Sequence, residues 1–590
     1  MWWSKIFNEN VYRATTKTVE KKHRIFNEKN IQKMIPQCVE KRKTSLENAE
    51  DLWGKAKEGF EKEGIKVFFA KSPEDAKKFI ASRLEKNELI IKGKSLTTEE
   101  IRLRQFLEKE GHEVVETDLG EWIIQQRNEL PSHFTAPAIH LSAEQISRMI
   151  KEKFKVKIKD DINELTDFIR KHLREKFLNA TCGIIGANFV TATPPTIISV
   201  SNEGNVSLCA RLPRKLFIVT GYDRIYNDTK GIEKIQKVLT SSATGQYYTS
   251  YIDFIKKPLP HQKIFLVILD NGRRKLLESE FKETARCIRC ASCLNICPVY
   301  REVGGHLFGK IYHGGIGSLL TAFSGNMKDA EKIADLCLRC GSCEPECPME
   351  IPIASLVANL SSNFELPIYL KLPLKMLKGA NKHPETKRKN LIFIGCAFRT
   401  TLLKKAYKKI KSFAERLNAD ILEEGCCGMP HYYKGQLEES EKRIKNLERI
   451  FENYSTIFIP CSSGYSFLKE KFGDKVRLLS IELALRAESG ITPEKGIYLY
   501  HLPCHLKHLK NFNEKNELKK VLKIKNWESE DRCCGSAGTF WLTHPFISRK
   551  ILSRKKQNND DLPLITSCPS CYIQLKRVFK NVKHTSEVFD

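Results

Sequence analysis

The sequence predicts an α/β chain of several domains, with a helical segment in its middle and a duplicated α/β region at its end. Three observations lead there. Strand-like and helical runs alternate through the first half, helical patterning dominates residues 282–361, and a cysteine pattern recurs in the last part of the chain. At 590 residues the chain exceeds what one hydrophobic core supports, so three or four domains are expected.

Residues 1–60 are rich in Lys, Glu and Asn with apolar positions at helical intervals, and are expected to be helical. Residues 65–70, 88–91 and 113–116 read as strands, and 73–84 and 97–110 as helices. Further strands are expected at 196–200, 216–220 and 264–269. Such alternation argues for a parallel sheet covered on both faces. Residues 367–384 read as a linker. In the last part, Cys396 and Cys504 are 108 residues apart, while Cys426/Cys533, Cys427/Cys534 and Cys461/Cys568 are each 107 apart. Four nearly equal offsets make an internal repeat. In each repeat, cysteines follow strand-like runs (391–394, 456–459, 497–500 and 564–566), which puts the thiols at the carboxyl edge of a small sheet.

Hydrophobic content of 41% and charged content of 29% are those of a globular chain. No apolar run approaches the roughly 20 residues of a membrane span, and the first residues lack the apolar stretch of a signal peptide. A cytoplasmic location is expected, where thiols stay reduced. The formal charge of +28 comes from lysines spread along the chain among glutamates, as in Glu20-Lys21-Lys22. That is a solvated surface, no nucleic-acid motif accompanies it, and a nucleic-acid partner is not expected.

The cysteines carry the chemistry. Cys287-x-x-Cys290-x-x-Cys293-x-x-x-Cys297-Pro298 recurs as Cys337-x-x-Cys340-x-x-Cys343-x-x-x-Cys347-Pro348. Three closely spaced thiolates converge on one cubane, and the fourth reaches the neighbouring one. One four-iron cubane is therefore assigned to Cys287, Cys290, Cys293 and Cys347, the other to Cys337, Cys340, Cys343 and Cys297. Zinc sites use cysteine pairs separated by a longer finger.

Each C-terminal repeat contains Cys-Cys-Gly, at Cys426-Cys427-Gly428 and Cys533-Cys534-Gly535. Neighbouring side chains on a strand point to opposite faces, so a glycine-assisted turn must bring both thiols round, at Gly425 and Gly428 in the first pair. Cys504, Cys533, Cys534, Cys568 and Cys571 form a five-thiol set. The first repeat offers Cys396, Cys426, Cys427 and Cys461, with Gly464 where a fifth thiol would stand. These sets are expected to bind one or two further four-iron clusters.

The repeats resemble the CCG domain of heterodisulfide reductase, of the iron–sulfur subunits of glycerol-3-phosphate and glycolate oxidases, and of the lactate-utilisation A subunit. In heterodisulfide reductase such sets hold non-cubane clusters. The N-terminal half resembles the lactate-utilisation B subunit. The likeness lies in the run Lys92-Gly93-Lys94-Ser95, in Glu116-Thr117-Asp118-Leu119-Gly120-Glu121, and in Pro131-Ser132-His133 with Ala136-Pro137-Ala138-Ile139-His140. It continues through residues 183–189, Asn202-Glu203-Gly204-Asn205, Asp270-Asn271-Gly272-Arg273 and Val303-Gly304-Gly305-His306. One departure is Ala192-Thr193-Pro194-Pro195-Thr196, where relatives usually carry an acidic residue and a glycine.

The resemblance implies this order: a helical segment (1–60), a LUD domain of sugar-isomerase/CoA-transferase-like fold (61–280), and an α-helical two-cluster ferredoxin-type domain (281–360). A linker (361–387), a first CCG domain (388–485) and a second (495–590) follow. It also implies oxidation of L-lactate, or a related 2-hydroxy acid, to the 2-oxo acid, with electrons leaving through the clusters. Glu203, Asn188, His133 and His140 are the candidate substrate residues, although a tight Asn/Gly turn also accounts for 202–205. Lys92 and Lys94 either hold a carboxylate or are solvated. Cys182 and Cys209 read as buried small residues, and His505 either donates to a cluster sulfur or lies on the surface. No G-x-G-x-x-G fingerprint is present, so a C-type LUD subunit or a flavoprotein is the expected partner. The alternatives are a heterodisulfide-reductase-like thiol–disulfide oxidoreductase and an electron-transfer subunit for a flavin dehydrogenase or quinone reductase.

Overall fold

The computed structural model describes residues 9–555 and 562–590, apart from 378, 380–383, 386, 488, 508, 510 and 511. The first eight residues of the expected N-terminal helical segment and part of the expected linker thus lie outside the described residues. The chain forms two compact units, Met1–Ile333 with Cys343–Pro352, and Ala334–Ser342 with Ile353–Asp590.

Among the described residues the first unit holds ten strands: β1 (Lys66–Ala70), β2 (Leu89–Lys92), β3 (Glu113–Glu116), β4 (Cys182–Gly186), β5 (Phe189–Thr193), β6 (Pro195–Ser201), β7 (Lys215–Gly221), β8 (Ile225–Asp228), β9 (Tyr251–Ile255) and β10 (Lys263–Leu269). Six of them build one sheet in the order β1-β10-β7-β4-β2-β3, parallel throughout. Both faces are buried, so its strands read as continuous apolar runs. Along β7, Leu216 and Ile218 enter one core with Trp53 and Trp122, while Phe217 and Val219 enter the other with Phe265 and Leu103. The strand at 196–200 does not join that sheet. It lies in β6, within a mixed sheet ordered β8-β5-β6-β9. The helix expected over 97–110 is broken into Leu96–Glu100 and Leu103–Lys109, because Arg102 takes a left-handed conformation (φ 50°).

Among the described residues the second unit holds two four-stranded parallel sheets of equivalent order. The strands are β11 (Asn390–Phe393), β12 (Ala419–Leu422), β13 (Thr456–Ile459), β14 (Val476–Leu478), β15 (Ile497–Tyr500), β16 (Lys523–Lys525), β17 (Leu564–Thr566) and β18 (Val582–His584). The sheets run β12-β11-β13-β14 and β16-β15-β17-β18, and Ile392 and Phe458 of one share a core with Leu499 and Ile565 of the other. The edge strands are three or four residues long, which is why periodicity in the sequence does not reveal β14, β16 and β18. Part of the expected linker is helical, at Ile368–Lys375. Among the described residues no helix is long and apolar enough to cross a membrane.

Candidate functional site

Two cavities collect the chemistry, one in each unit. The first, of about 300 Å³, lies at the carboxyl ends of β2 and β4 and is lined by Lys94, Asp118, Asn188, Glu203, Arg224, Ile288, Arg289 and Tyr312 among others. That is where open parallel sheets gather ligands. Glu203 Oε2 accepts the Leu119 N–H at 3.1 Å, and burial together with the neighbouring Asp118 pushes its pKa up to about 7. Asn188 Oδ1 accepts the Val200 N–H at 3.0 Å. Lys94 Nζ lies 2.9 Å from Glu121. Lys92, by contrast, is fully buried and bound to Glu99 at 2.7 Å and Glu116 at 3.0 Å, so its charge is spent inside the fold.

His133 and His140 are placed elsewhere. His133 is buried; its Nδ1 accepts backbone N–H groups of Thr135 and Ala136 at 3.2 Å, and its Nε2 lies 3.1 Å from Asn295. Burial lowers its pKa to about 3. It braces the helix Ser292–Ile296 between two of the cysteines. His140 lies 3.0 Å from Glu129. The Ala192–Thr196 departure forms the β5–β6 turn, at the far end of that hairpin from the residues that line the cavity.

One wall of this cavity is the loop of the first cysteine motif. Arg289 sits between Cys287 and Cys290 with φ 62°; its backbone N–H points at Cys287 Sγ (3.4 Å), and its guanidinium donates to the Cys287 carbonyl (3.0 Å). Beneath it lies Asp223, 2% exposed, within 4 Å of four guanidiniums: Arg224 (2.7 Å), Arg273 (3.0 Å), Arg289 (3.5 Å) and Arg42 (3.7 Å). Burial alone would raise its pKa, but these cations hold it well below the usual carboxylate range. The sequence contained a sign of this loop, since Cys-x-Arg-Cys occurs in both motifs, at Arg289 and Arg339. The Asp223 hub left none, because its members are far apart in the chain.

Burial raises the pKa values of Cys290, Cys293 and Cys347, and the neighbouring thiols of the set, Cys287 among them, add to the rise. Of the other four motif cysteines, Cys297 and Cys343 belong to the first unit and Cys337 and Cys340 to the second.

The second cavity, of about 110 Å³, is lined by Cys396, Cys427, Cys461, Cys504, Cys533, Cys534, Cys568 and Cys571, together with Cys337, Leu338 and Arg339. Both CCG sets thus open onto one space. Each pair is turned by a glycine of positive φ, Gly428 (90°) and Gly535 (75°). Cys426 is buried beside Cys396 and Cys427, whose hydrogen bonds lower its pKa to about 3. Cys534 Sγ lies 3.2 Å from Cys571 Sγ. Ser463 bridges the repeats, 3.4 Å from Cys568 Sγ and 2.9 Å from His505 Nδ1; His505 is therefore buried, not at the surface. Two further groups escaped sequence reading. His501 lies against Cys534 and Cys571, and Lys555, 4% exposed, has its pKa lowered to about 8 by burial. Cys182, Cys209 and Cys38 are buried away from these sets.

None of the twenty cysteines is in a disulfide. Buried thiols gathered in fours and fives, with guanidiniums and a lysine close by to balance anionic sulfur, form a donor set that fits iron–sulfur clusters. A parallel α/β domain, a two-motif cysteine segment and duplicated thiol domains together define an iron–sulfur protein. Residues 54–275 match the LUD domain, 283–351 the 4Fe-4S dicluster domain, and 391–469 and 498–576 the cysteine-rich domain of the CCG type. Over 348 residues, 57% of this chain and 73% of the relative, it is 39% identical to lactate utilization protein B of Bacillus cytotoxicus. The same figures hold for lactate utilization protein B of Bacillus cereus and lactate utilization protein B 2 of Bacillus mycoides. The chain belongs to the lactate utilization protein B family, and it carries two CCG cysteine-rich domains as well. A DUF162 family protein from Deinococcus radiodurans is similar at 11% identity and a TM-score of 0.21, over 38% of this chain and 97% of that one.

Proposed function

We propose that this protein oxidises L-lactate, or a related 2-hydroxy acid, in the cavity of the first unit and passes the electrons through its clusters to the thiol cavity of the second. The observation that carries this reading is that the two cysteine loops each form a wall of a cavity. Ile288 and Arg289 line the first, and Leu338 and Arg339 the second. Two cubanes on Cys287, Cys290, Cys293, Cys347 and on Cys337, Cys340, Cys343, Cys297, with further clusters on the CCG sets, complete the assignment. Four-iron clusters held by these cysteines would supply one-electron acceptors for the pair removed from the substrate.

The chain's own residues supply the rest. Lys94 and Arg289 present cations for a carboxylate. Glu203, with its pKa near 7, accepts the hydroxyl proton, and Asp118, which also lines the cavity, takes the proton from C2 as that C–H bond breaks and its two electrons leave for the acceptors. Asn188 and the Leu119 N–H fix the Glu203 side of the cavity. The test is to add L-lactate anaerobically to reconstituted protein, alone and with a C-type LUD subunit or flavoprotein partner, and to follow the visible absorbance of the clusters. Bleaching is expected; no bleaching in either arm overturns the reading.

The convergence of both CCG sets on one small cavity favours a second reading, thiol–disulfide reduction there. Disulfide-dependent reoxidation of the reduced protein, in the absence of any lactate effect, would favour it.

A further inference from the structure

Outside both cavities, the second unit carries a groove of about 540 Å³, lined by residues 401–408, by Tyr572 and Lys576, and by residues 580–587. Its walls come from both repeats: the segment that follows Cys396, and the helix Pro569–Leu575 with the chain beyond it. Six lysines face it, namely Lys404, Lys405, Lys408, Lys576, Lys580 and Lys583.

These six lysines share the lining with a single carboxylate. Lys583 is held by Glu494 at 2.6 Å, but the other five make no ion pair among the described residues. The one carboxylate in the lining, Glu587, is turned back to accept the His584 N–H at 2.9 Å. At the rim stands Leu402, 52% exposed. A concave surface with excess positive charge and an apolar contact at its edge concentrates field lines and draws in anionic partners.

The groove is also next to the redox centre. Tyr572 is 2% exposed and shares one core with Cys568 and Cys571, its immediate chain neighbour. The same ring lines the groove, with Lys576 Nζ 4.8 Å above its centroid. Tyr572 thus places the groove against the helix that carries Cys571.

We infer that the groove docks an acidic electron-carrier protein and is the port through which electrons leave the CCG centre. The inference rests on the electron-transfer reading above and names the class of acceptor. In each event one electron passes from the reduced centre to the carrier's cofactor; no bond is broken, and the carrier, a separate protein, is the oxidant. Charge complementarity and closeness to Cys571 argue for a protein of this kind over a small anion, which would need no exit route.

The test uses full-length reconstituted protein reduced with dithionite, so that it does not depend on lactate oxidation. Reoxidation is followed by stopped flow with three oxidants: an acidic flavodoxin, a basic c-type cytochrome and uncharged menadione. In Lys404→Glu/Lys408→Glu/Lys580→Glu, the rate constant with flavodoxin should fall about tenfold or more at low salt, and the cytochrome rate should rise. Menadione should react at the wild-type rate, which also reports an intact centre. The difference should fade near 1 M salt, where the screening length is about 3 Å. The Lys→Gln triple variant should fall between wild type and the Glu variant. Flavodoxin rates that ignore charge and salt, or no transfer to flavodoxin while menadione reoxidises the protein, would overturn the port. Failure of lactate to reduce the protein, with the flavodoxin pattern intact, would instead sink the substrate assignment alone.

Discussion

Replacing Asp223 with Asn tests how the first cysteine loop is held. The carboxylate is buried and lies within 4 Å of Arg224, Arg273, Arg289 and Arg42. Arg224 also donates to the Cys287 carbonyl at 3.0 Å, and Arg42 to the Ala285 carbonyl at 2.8 Å. Glu100 remains, but it pairs with Arg273 alone among the four. Asparagine keeps the shape and removes the charge, leaving buried guanidiniums uncompensated. Breaking a buried pair in this way costs about 3–5 kcal/mol. At about 2–4 °C per kcal/mol for a large domain, the melting transition of the first unit should drop by about 6 °C or more. Arg224 and Arg289 should also loosen from Cys287, so the EPR signal of the first cubane should weaken while those of the CCG centres persist. The assay is thermal unfolding by circular dichroism on reconstituted protein, with EPR of the reduced state. Asp228→Asn is the control: it pairs with Lys41 at 2.7 Å near the surface and should cost about 1 kcal/mol or less. A melting temperature within about 2 °C of wild type for Asp223→Asn, with the full cubane signal, would refute the reasoning. The pH dependence has a definite sign. Because the folded pKa lies below the unfolded one, the hub stabilises the fold above about pH 4, and that contribution is lost as pH falls toward the folded pKa.

Three further outcomes are expected. Lactate-dependent bleaching should speed up as pH rises through about 7, where Glu203 becomes a free base, and Glu203→Gln should slow it about 100-fold and flatten the profile. Cys347→Ser should remove the same EPR signal as Cys290→Ser, although 57 residues separate the two positions; loss of a different signal would contradict the crossed ligand assignment. Gly464→Cys should supply a fifth thiol to the first CCG set. A Cβ there would stand 3.7 Å from Cys461 Cβ and 3.8 Å from its Sγ, an ordinary contact, so a changed EPR spectrum of that centre is expected in a protein of unchanged melting temperature.

Local and periodic features are legible in the residues alone. Buried strands such as Ile264–Leu269 must read as apolar runs when both faces of a sheet are covered. Four cysteines in eleven residues followed by proline announce a cluster, and equal offsets announce a repeat. Glu203 and Asn188 stand out through the family resemblance, and both line the first cavity. Only the tertiary structure decided which of the remaining polar residues meet. His133 and Lys92 carry the same side chains whether they face a substrate or the core, and burial alone sent one to Asn295 and the other to Glu99 and Glu116. The Asp223 hub, the Arg289 wall and the lysine groove are assembled from segments far apart in the chain. Side-chain charge acts through space, and the folded path of the backbone sets those distances.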